Sequence, residues 1–117
     1  MIYDILLVDG DQENLELLED ALKYDHLVRT AENELKADFW LRSERFDIVM
    51  ANEKTSGMPG LLEKRKRLDT VVKAILITDD PMTTKPLHID ALLRYPPPEG
   101  TTMKQVVEQA IKNAFSR

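Results

Sequence analysis

Residues that could carry out chemistry stand at the ends of four apolar stretches of this sequence. They are, in chain order, Asp9, Gly10, Asp11, Asn52, Thr78 and Tyr95. A carboxylate at the end of a buried strand can act as a nucleophile or as a metal ligand. After the stretch 46–51, however, the sequence has Asn52, a neutral amide without an anionic oxygen. The pattern indicates a site of acids and hydroxyls in which one central position lacks a carboxylate.

Short apolar runs alternate with helical periodicities, and this alternation predicts the elements that position those residues. The predicted strands are 2–8, 27–31, 46–51, 71–78 and 91–95. The predicted helices are a first one capped by Asp11, a second ending near Arg42, a short charged one at 61–68 and a last one at 103–114. Strands alternating with helices predict an α/β fold with a parallel sheet covered on both faces, in one domain over residues 1–117.

The segment between the fourth and fifth predicted strands, 79–90, is a poor helix. Pro81 could open a helix, but Pro86 would lie in its interior and would cost roughly 3 kcal/mol there. We therefore expect the helix in this position to be short, displaced or replaced by a loop.

Ligands of parallel α/β sheets bind at the carboxyl ends of the strands. Those ends carry residues 9–11, Asn52, Thr78 and the pair 95–96. The sequence therefore predicts that these four groups converge on one pocket.

Composition excludes several classes of protein. Sixteen basic against twenty-one acidic residues give a net charge of −5, which argues against direct contact with nucleic acid. The apolar runs are far shorter than the ~20 residues that span a bilayer, so we expect no membrane contact. The chain has no cysteine and no basic stretch at its N-terminus of the kind that opens a signal peptide, and we expect a cytoplasmic location.

Four segments of the chain, in order, resemble the response-regulator receiver family of two-component systems. They are "ILLVDGDQENLELLEDAL", "FDIVMANEKTSGMPGL", "KAILIT" and "ALLRYP", and the resemblance runs from about Tyr3 to Ala114. It implies a flavodoxin-like, CheY-like doubly wound fold with five βα units and strand order 2-1-3-4-5, here with a shortened fourth helix.

The resemblance also implies roles for single residues. Receivers form an acyl phosphate on an aspartate, with Mg²⁺ held by acids, a lysine on the phosphoryl oxygens and a Ser/Thr hydroxyl beside them. Asp9 matches the first acid and Thr78 the hydroxyl. Gly10 stands in place of the main metal-holding acid, Asn52 in place of the phosphoacceptor and Tyr95 in place of the lysine.

These departures predict a degenerate receiver, or pseudo-receiver, with no catalytic residue and no cofactor. Asp9 would be the one clear metal ligand, so Mg²⁺ binding is expected to be weak or absent. Arg94 or Lys54 could replace the missing lysine charge. Phosphotransfer or metal binding at a remaining acid such as Asp9 is the alternative.

Individual residues also have plainer interpretations. Asp9 is either a surviving ligand or a partly buried acid that bonds the loop backbone. Asn52 is expected to stabilise the loop by bonding near Gly57 or Thr78. The basic stretch 63–67 is read as a solvated helix face rather than a phosphate-binding or nuclear-import patch.

The sequence lacks the signatures of two other functional classes, a flavin- or nucleotide-binding protein and a hydrolase. A flavin or nucleotide site needs a phosphate loop rich in Gly, Ser or Thr after the first strand, whereas "VDGDQEN" is acidic. A hydrolase needs a nucleophile with its base, and no Ser-His or Cys-His arrangement is evident.

The expected function is binding to a protein, either a signalling partner or a second copy of the chain. The expected contact face comprises 86–93 and 96–98, with Pro86, Leu92, Leu93 and Pro97 as its main residues. Leu92 also stands where the family has a switch aromatic. Loops stiffened by proline lose little entropy on binding, which favours a contact that does not depend on phosphate.

Overall fold

Five parallel strands form the centre of the molecule. The computed structural model describes residues 1–55, 57, 60, 72–86 and 88–116. The strands are β1 (Asp4–Val8), β2 (Leu27–Ala31), β3 (Ile48–Asn52), β4 (Lys73–Thr78) and β5 (Ala91–Arg94). Their order in the sheet is β2-β1-β3-β4-β5, which confirms the predicted strand order.

The described helices cover both faces of this sheet. They are α1 (Gln12–Leu22), α2 (Glu34–Ser43) and α3 (Met103–Phe115). Successive side chains of a strand point to opposite faces, so the sheet has a core on each side. One core packs strand residues such as Ile5 and Leu7 against α1 and α3, and the other packs Leu6 and Val8 against α2. Among the described residues, no helix combines the length and the apolar character needed to cross a membrane.

Helix starts follow the capping chemistry of the sequence. The side chain of Asp11 accepts hydrogen bonds from the backbone N–H groups of Glu13 and Asn14, which confirms it as the N-cap of α1. At the start of α3, Thr102 and Gln105 form a capping box in which each side chain bonds the backbone of the other residue.

The segment between β4 and β5 contains no helix in its described part, 79–86 and 88–90. It is a loop with short turns, as the prolines predict. The guanidinium group of Arg94 donates to the carbonyl oxygens of Asp80 at 2.8 Å and Thr83 at 3.1 Å. These two bonds tie the start of the loop to β5.

Several predicted boundaries need correction. β1 begins at Asp4, β3 begins at Ile48 and β5 ends at Arg94, one or two residues inside the predicted limits. Position 71, the predicted start of β4, lies outside the described residues. The predicted helix 61–68 and the basic stretch 63–67 also lie outside them.

Leu93 was predicted on the exposed contact face, and this is wrong. It is fully buried in the core formed with α1 and α3. The reason is the alternation along β5: Leu93 points to the side of α3, while Leu92 and Arg94 point to the other face and are partly exposed.

Candidate functional site

A cavity of about 980 Å³ opens at the carboxyl ends of the strands. Its lining includes Asp9, Gly10, Asp11, Asn52, Tyr95 and Pro96. The structure thus brings together groups from the ends of β1, β3 and β5. Thr78, at the end of β4, does not line the cavity, because its side chain is fully buried beneath the loop that follows.

Asp9 is the innermost acid of this cavity and is only 2% exposed. Its Oδ1 accepts the backbone N–H of Asp11 at 2.9 Å, and its Oδ2 accepts the side-chain amide of Asn52 at 3.0 Å. Both carboxylate oxygens therefore have a partner within the protein. This arrangement matches the plainer interpretation, in which a buried acid stabilises the loop.

Asn52 bridges two strands through its amide. Its Nδ2 donates to Asp9, and its Oδ1 accepts the backbone N–H of Lys54 at 2.9 Å. The predicted partners near Gly57 and Thr78 are wrong. The pairing of Val8 with Ala51 in the sheet sets the next residues of β1 and β3 side by side, and these are Asp9 and Asn52. An amide can donate to one neighbour and accept from the other, which an ionised carboxylate cannot do.

The side chains around Asp9 do not fit Mg²⁺. Such an ion needs several oxygen ligands in near-octahedral geometry. Here Gly10 offers no side chain, both oxygens of Asp9 are engaged, and Asn52 turns its N–H group rather than its oxygen toward the acid. Within the part of the chain that the structure describes, no group of three or more His, Cys, Asp or Glu residues could hold a metal ion.

Gly10 is not required by the backbone. Its φ lies outside the left-handed region, and a Cβ there would meet the Thr55 hydroxyl at 3.6 Å, an ordinary contact. Its N–H donates to that hydroxyl at 2.9 Å. Neither the backbone conformation nor the space for a Cβ therefore requires glycine at this position.

Tyr95 lines the cavity just beyond the end of β5 and carries no positive charge. Burial raises the pKa of its phenol, and the negative charges of Glu13, Asp11 and Asp9 raise it further. The side chain is therefore a neutral hydroxyl at physiological pH. The peptide bond between Tyr95 and Pro96 is cis.

Neither of the two cations considered as replacements is free to act in the cavity. Lys54 lines it, but its ammonium group pairs with Asp79 at 2.6 Å. This hydrogen bond and the charge of Asp79 raise the pKa of Lys54. Arg94 is turned to the loop carbonyls of Asp80 and Thr83 instead.

The buried hydroxyl of Thr78 has a partner that the sequence analysis did not identify. It donates to Oε1 of Glu53 at 2.5 Å, accepts the backbone N–H of Asp80 at 3.1 Å and lies 3.2 Å from the hydroxyl of Thr83. The one signal in the sequence was an acid directly after Asn52. This signal is weak, because the direction of a side chain just beyond a strand depends on the backbone hydrogen bonds that the following residues make. Those bonds cannot be read from the sequence.

The strand order, the parallel pairing and the site at the strand ends define the fold of response-regulator receiver domains. The chemotaxis response regulator CheY4 of Vibrio cholerae has a TM-score of 0.76 at 16% identity, over 97% of this chain and 99% of that one. A CheY-like response regulator receiver domain protein from Methanospirillum hungatei has a TM-score of 0.77 at 21% identity, over 97% of this chain and 94% of that one. The response regulator TrrA of Thermotoga maritima, solved with Mg²⁺ and BeF, has a TM-score of 0.77 at 22% identity, over 94% of this chain and 97% of that one.

These likenesses confirm the predicted CheY-like fold over nearly the whole chain. No protein-family model matches the sequence, and no curated protein matches it either. The identities of 16–22% leave the function to be argued from the site itself.

Proposed function

We propose that this chain is a receiver-like signalling domain that binds a protein partner without being phosphorylated. The observation that carries the proposal is the hydrogen bond of 3.0 Å from the amide of Asn52 to the carboxylate of Asp9. It puts a neutral donor where an acyl phosphate would have to form, and it engages the acid that would otherwise face the metal.

The remaining acids are poor substitutes as phosphoacceptors. A phosphoryl group is transferred to a carboxylate oxygen that is accessible and in line with the donor. Asp9 is almost fully buried with both oxygens bonded, and Asp11 is committed to the N-cap of α1. Phosphotransfer at one of these acids would first have to break the loop or the helix start.

The charge of the cavity also opposes an incoming phosphoryl group. Five acids line it, namely Asp9, Asp11, Glu32, Glu34 and Asp79. The one lysine of the lining, Lys54, is paired with Asp79. Like charges at short range repel, and the described side chains offer no metal site to offset this repulsion.

The partner surface is the side of the molecule formed by β5 and α3. A groove of about 720 Å³ lies there, and its lining includes Leu92, Arg94, Pro98, Val106 and Lys112. Apolar side chains at the base and polar ones around them are typical of a protein contact surface. With Leu93 in the core, Leu92 is the apolar residue that β5 contributes to this face.

A capture experiment tests the proposal. The wild-type chain and the charge reversal Lys112→Glu are immobilised and exposed to native lysate, with and without acetyl phosphate and Mg²⁺. Lys36→Glu is the matched control, since it makes the same change at an exposed position on α2. Wild type and Lys36→Glu should retain the same proteins whether or not the phosphodonor is present, and Lys112→Glu should lose them.

Two outcomes would count against it. Retention that appears only with the phosphodonor would show that the domain is a phosphorylation-dependent receiver. Retention of the same proteins by Lys112→Glu would remove the groove as the contact surface.

A further inference from the structure

The hydroxyl of Thr78 has no hydrogen-bonding capacity left over. A hydroxyl group offers one proton and two lone pairs. The single proton has two acceptors within reach, Glu53 at 2.5 Å and the hydroxyl of Thr83 at 3.2 Å, and the shorter distance assigns it to Glu53; one lone pair accepts the N–H of Asp80, and the Thr83 hydroxyl occupies the remaining side. The group is fully buried, so water does not compete for these bonds. Any outside ligand would have to displace one of the three partners.

Glu53 is held in place by the sheet. Its backbone N–H donates to the carbonyl of Ile77 at 3.0 Å, so the chain continues to pair with β4 one residue beyond β3. This pairing fixes its side chain beside Thr78, the next residue of β4. Hydrogen bonds from a hydroxyl to a carboxylate are among the shorter ones in proteins, and the oxygens of Thr78 and Glu53 lie 2.5 Å apart.

The same hydroxyl sets the conformation of the segment 79–83. Thr78 accepts the N–H of Asp80, whose carbonyl in turn accepts both the N–H of Thr83 and the guanidinium group of Arg94. Arg94 also donates to the carbonyl of Thr83. Residues from the ends of two strands, Thr78 of β4 and Arg94 of β5, therefore converge on one short stretch of loop.

We infer that Glu53 is a positioning residue whose fixed carboxylate holds Thr78 and the segment 79–83 in a single conformation. It supplies from within the chain the anion that a phosphoryl group would supply from outside. This inference deepens the proposed function and rests on it for its biological meaning. The carboxylate is part of the chain, so the conformation it stabilises is present at all times.

The partner groove is coupled to this network through Arg94. Arg94 lines the groove and also holds the loop carbonyls. When Glu53 cannot accept the proton of Thr78, the hydrogen bonds that hold the segment 79–83, and through it the guanidinium group of Arg94, are weakened. The surface at Leu92 and Arg94 would then sample several conformations.

Amide hydrogen exchange of the whole chain, followed by NMR without phosphodonor or partner, tests the inference. Glu53→Met removes the acceptor at similar size, and Glu53→Gln keeps a neutral acceptor. We expect exchange at Asp80 and Thr83 to become about tenfold faster in Glu53→Met and less than about threefold faster in Glu53→Gln. Exchange at Leu7, in the central strand, reports global unfolding, so the acceleration at Asp80 and Thr83 should exceed any change at Leu7.

Thr78 provides a second, independent pair of variants. Thr78→Val removes the hydroxyl at constant shape, and Thr78→Ser keeps it. Thr78→Val should reproduce the faster exchange at Asp80, and adding Glu53→Met to it should produce no further increase, because both changes remove the same bond. Thr78→Ser should remain close to wild type.

The inference is overturned if exchange at Asp80 in Glu53→Met stays within about twofold of wild type. It is also overturned if the effects of Glu53→Met and Thr78→Val simply add. Since no phosphodonor and no partner is present, these outcomes are independent of whether the domain can be phosphorylated. A phosphoryl adduct in a separate experiment would contradict the proposed function and leave the exchange result standing.

Discussion

At the scale of single residues, the pocket is a set of hydrogen bonds that satisfy one another. The amide of Asn52 donates to Asp9 and accepts from the backbone of Lys54, and these roles require one donor and one acceptor. The amide of Asn52 therefore forms a contact across β1 and β3 that an ionised carboxylate in its place could not form.

Restoring the acid alone should destabilise the protein. Asn52→Asp places a second carboxylate about 3 Å from Asp9 and removes the donor between them. We expect the free energy of unfolding at pH 7, measured with urea, to fall by about 1–3 kcal/mol. The loss should shrink in acid, because a protonated carboxyl group can donate as the amide does.

Asn33→Asp is the matched control for that change. Asn33 caps α2, where an acid serves as well as an amide and the helix dipole favours its charge. The free energy of unfolding of the Asn33→Asp variant should change little. An Asn52→Asp variant that is as stable as Asn33→Asp at neutral pH would contradict the role given to the amide.

The phenol of Tyr95 should ionise only in strongly alkaline solution. Burial and three nearby acids raise its pKa in the folded state above its usual value of 10.0. A raised pKa means that the contribution of the neutral phenol to stability is complete below about pH 10 and is lost as the pH rises further. Absorbance of tyrosinate in Tyr95→Phe should lack the component of highest midpoint, whereas Tyr24→Phe, altered at an exposed ring, should keep it.

At the scale of elements, much of the fold follows from sequence patterns. The spacing of Leu15, Leu18 and Leu22 predicts the buried face of α1, and Asp11 predicts its start. Pro86 predicts the loop in place of a helix before β5. These features are local, so the sequence contains the information needed to recognise them.

The prediction that Leu93 lies on the contact face overlooked the alternation of side chains along a strand. A face that includes both Leu92 and Leu93 is impossible on a strand, because neighbours point to opposite sides. Leu93→Ala should lower the free energy of unfolding by about 2–5 kcal/mol, since it opens a cavity in the core. Leu35→Ala, at a leucine that is 84% exposed on α2, is the control and should stay within about 0.5 kcal/mol of wild type. Equal effects of the two changes would refute the assignment of Leu93 to the core.

The site was predictable in position and unpredictable in detail. Parallel strands end at one edge, which suffices to bring Asp9, Asn52 and Tyr95 together. The pairing of Asn52 with Asp9 depends on the register of β1 against β3, and the turn of Thr78 toward Glu53 depends on the path of the loop after β4. Neither register nor loop path can be read from local sequence.

At the scale of the whole molecule, a CheY-like fold surrounds a cavity that we propose does not carry out phosphotransfer. The described residues form the five-stranded sheet, two hydrophobic cores and a groove along β5 and α3. On this proposal, Asn52, Gly10 and Tyr95 stand where phosphotransfer would need a nucleophile, a second acid and a lysine. We therefore propose that the surface carries the function and that the cavity at the strand ends contributes to stability.

Reconstruction of the pocket should restore part of the chemistry. The triple variant Asn52→Asp, Gly10→Asp and Tyr95→Lys returns nucleophile, metal ligand and charge together. A Cβ at position 10 would make only ordinary contacts, the nearest at 3.6 Å, so the backbone there tolerates a side chain. Treated with acetyl phosphate and Mg²⁺, this variant should form more adduct than Asn52→Asp alone.

The most direct test of the central claim is the intact mass of the wild-type chain after incubation with acetyl phosphate and Mg²⁺. The triple variant serves as the positive control under the same conditions. We expect the wild-type mass to stay unchanged, because Asn52 has no carboxylate and both carboxylate oxygens of the buried Asp9 are bonded within the protein. A wild-type species heavier by one phosphoryl group, and removed by hydroxylamine as an acyl phosphate is, would contradict it.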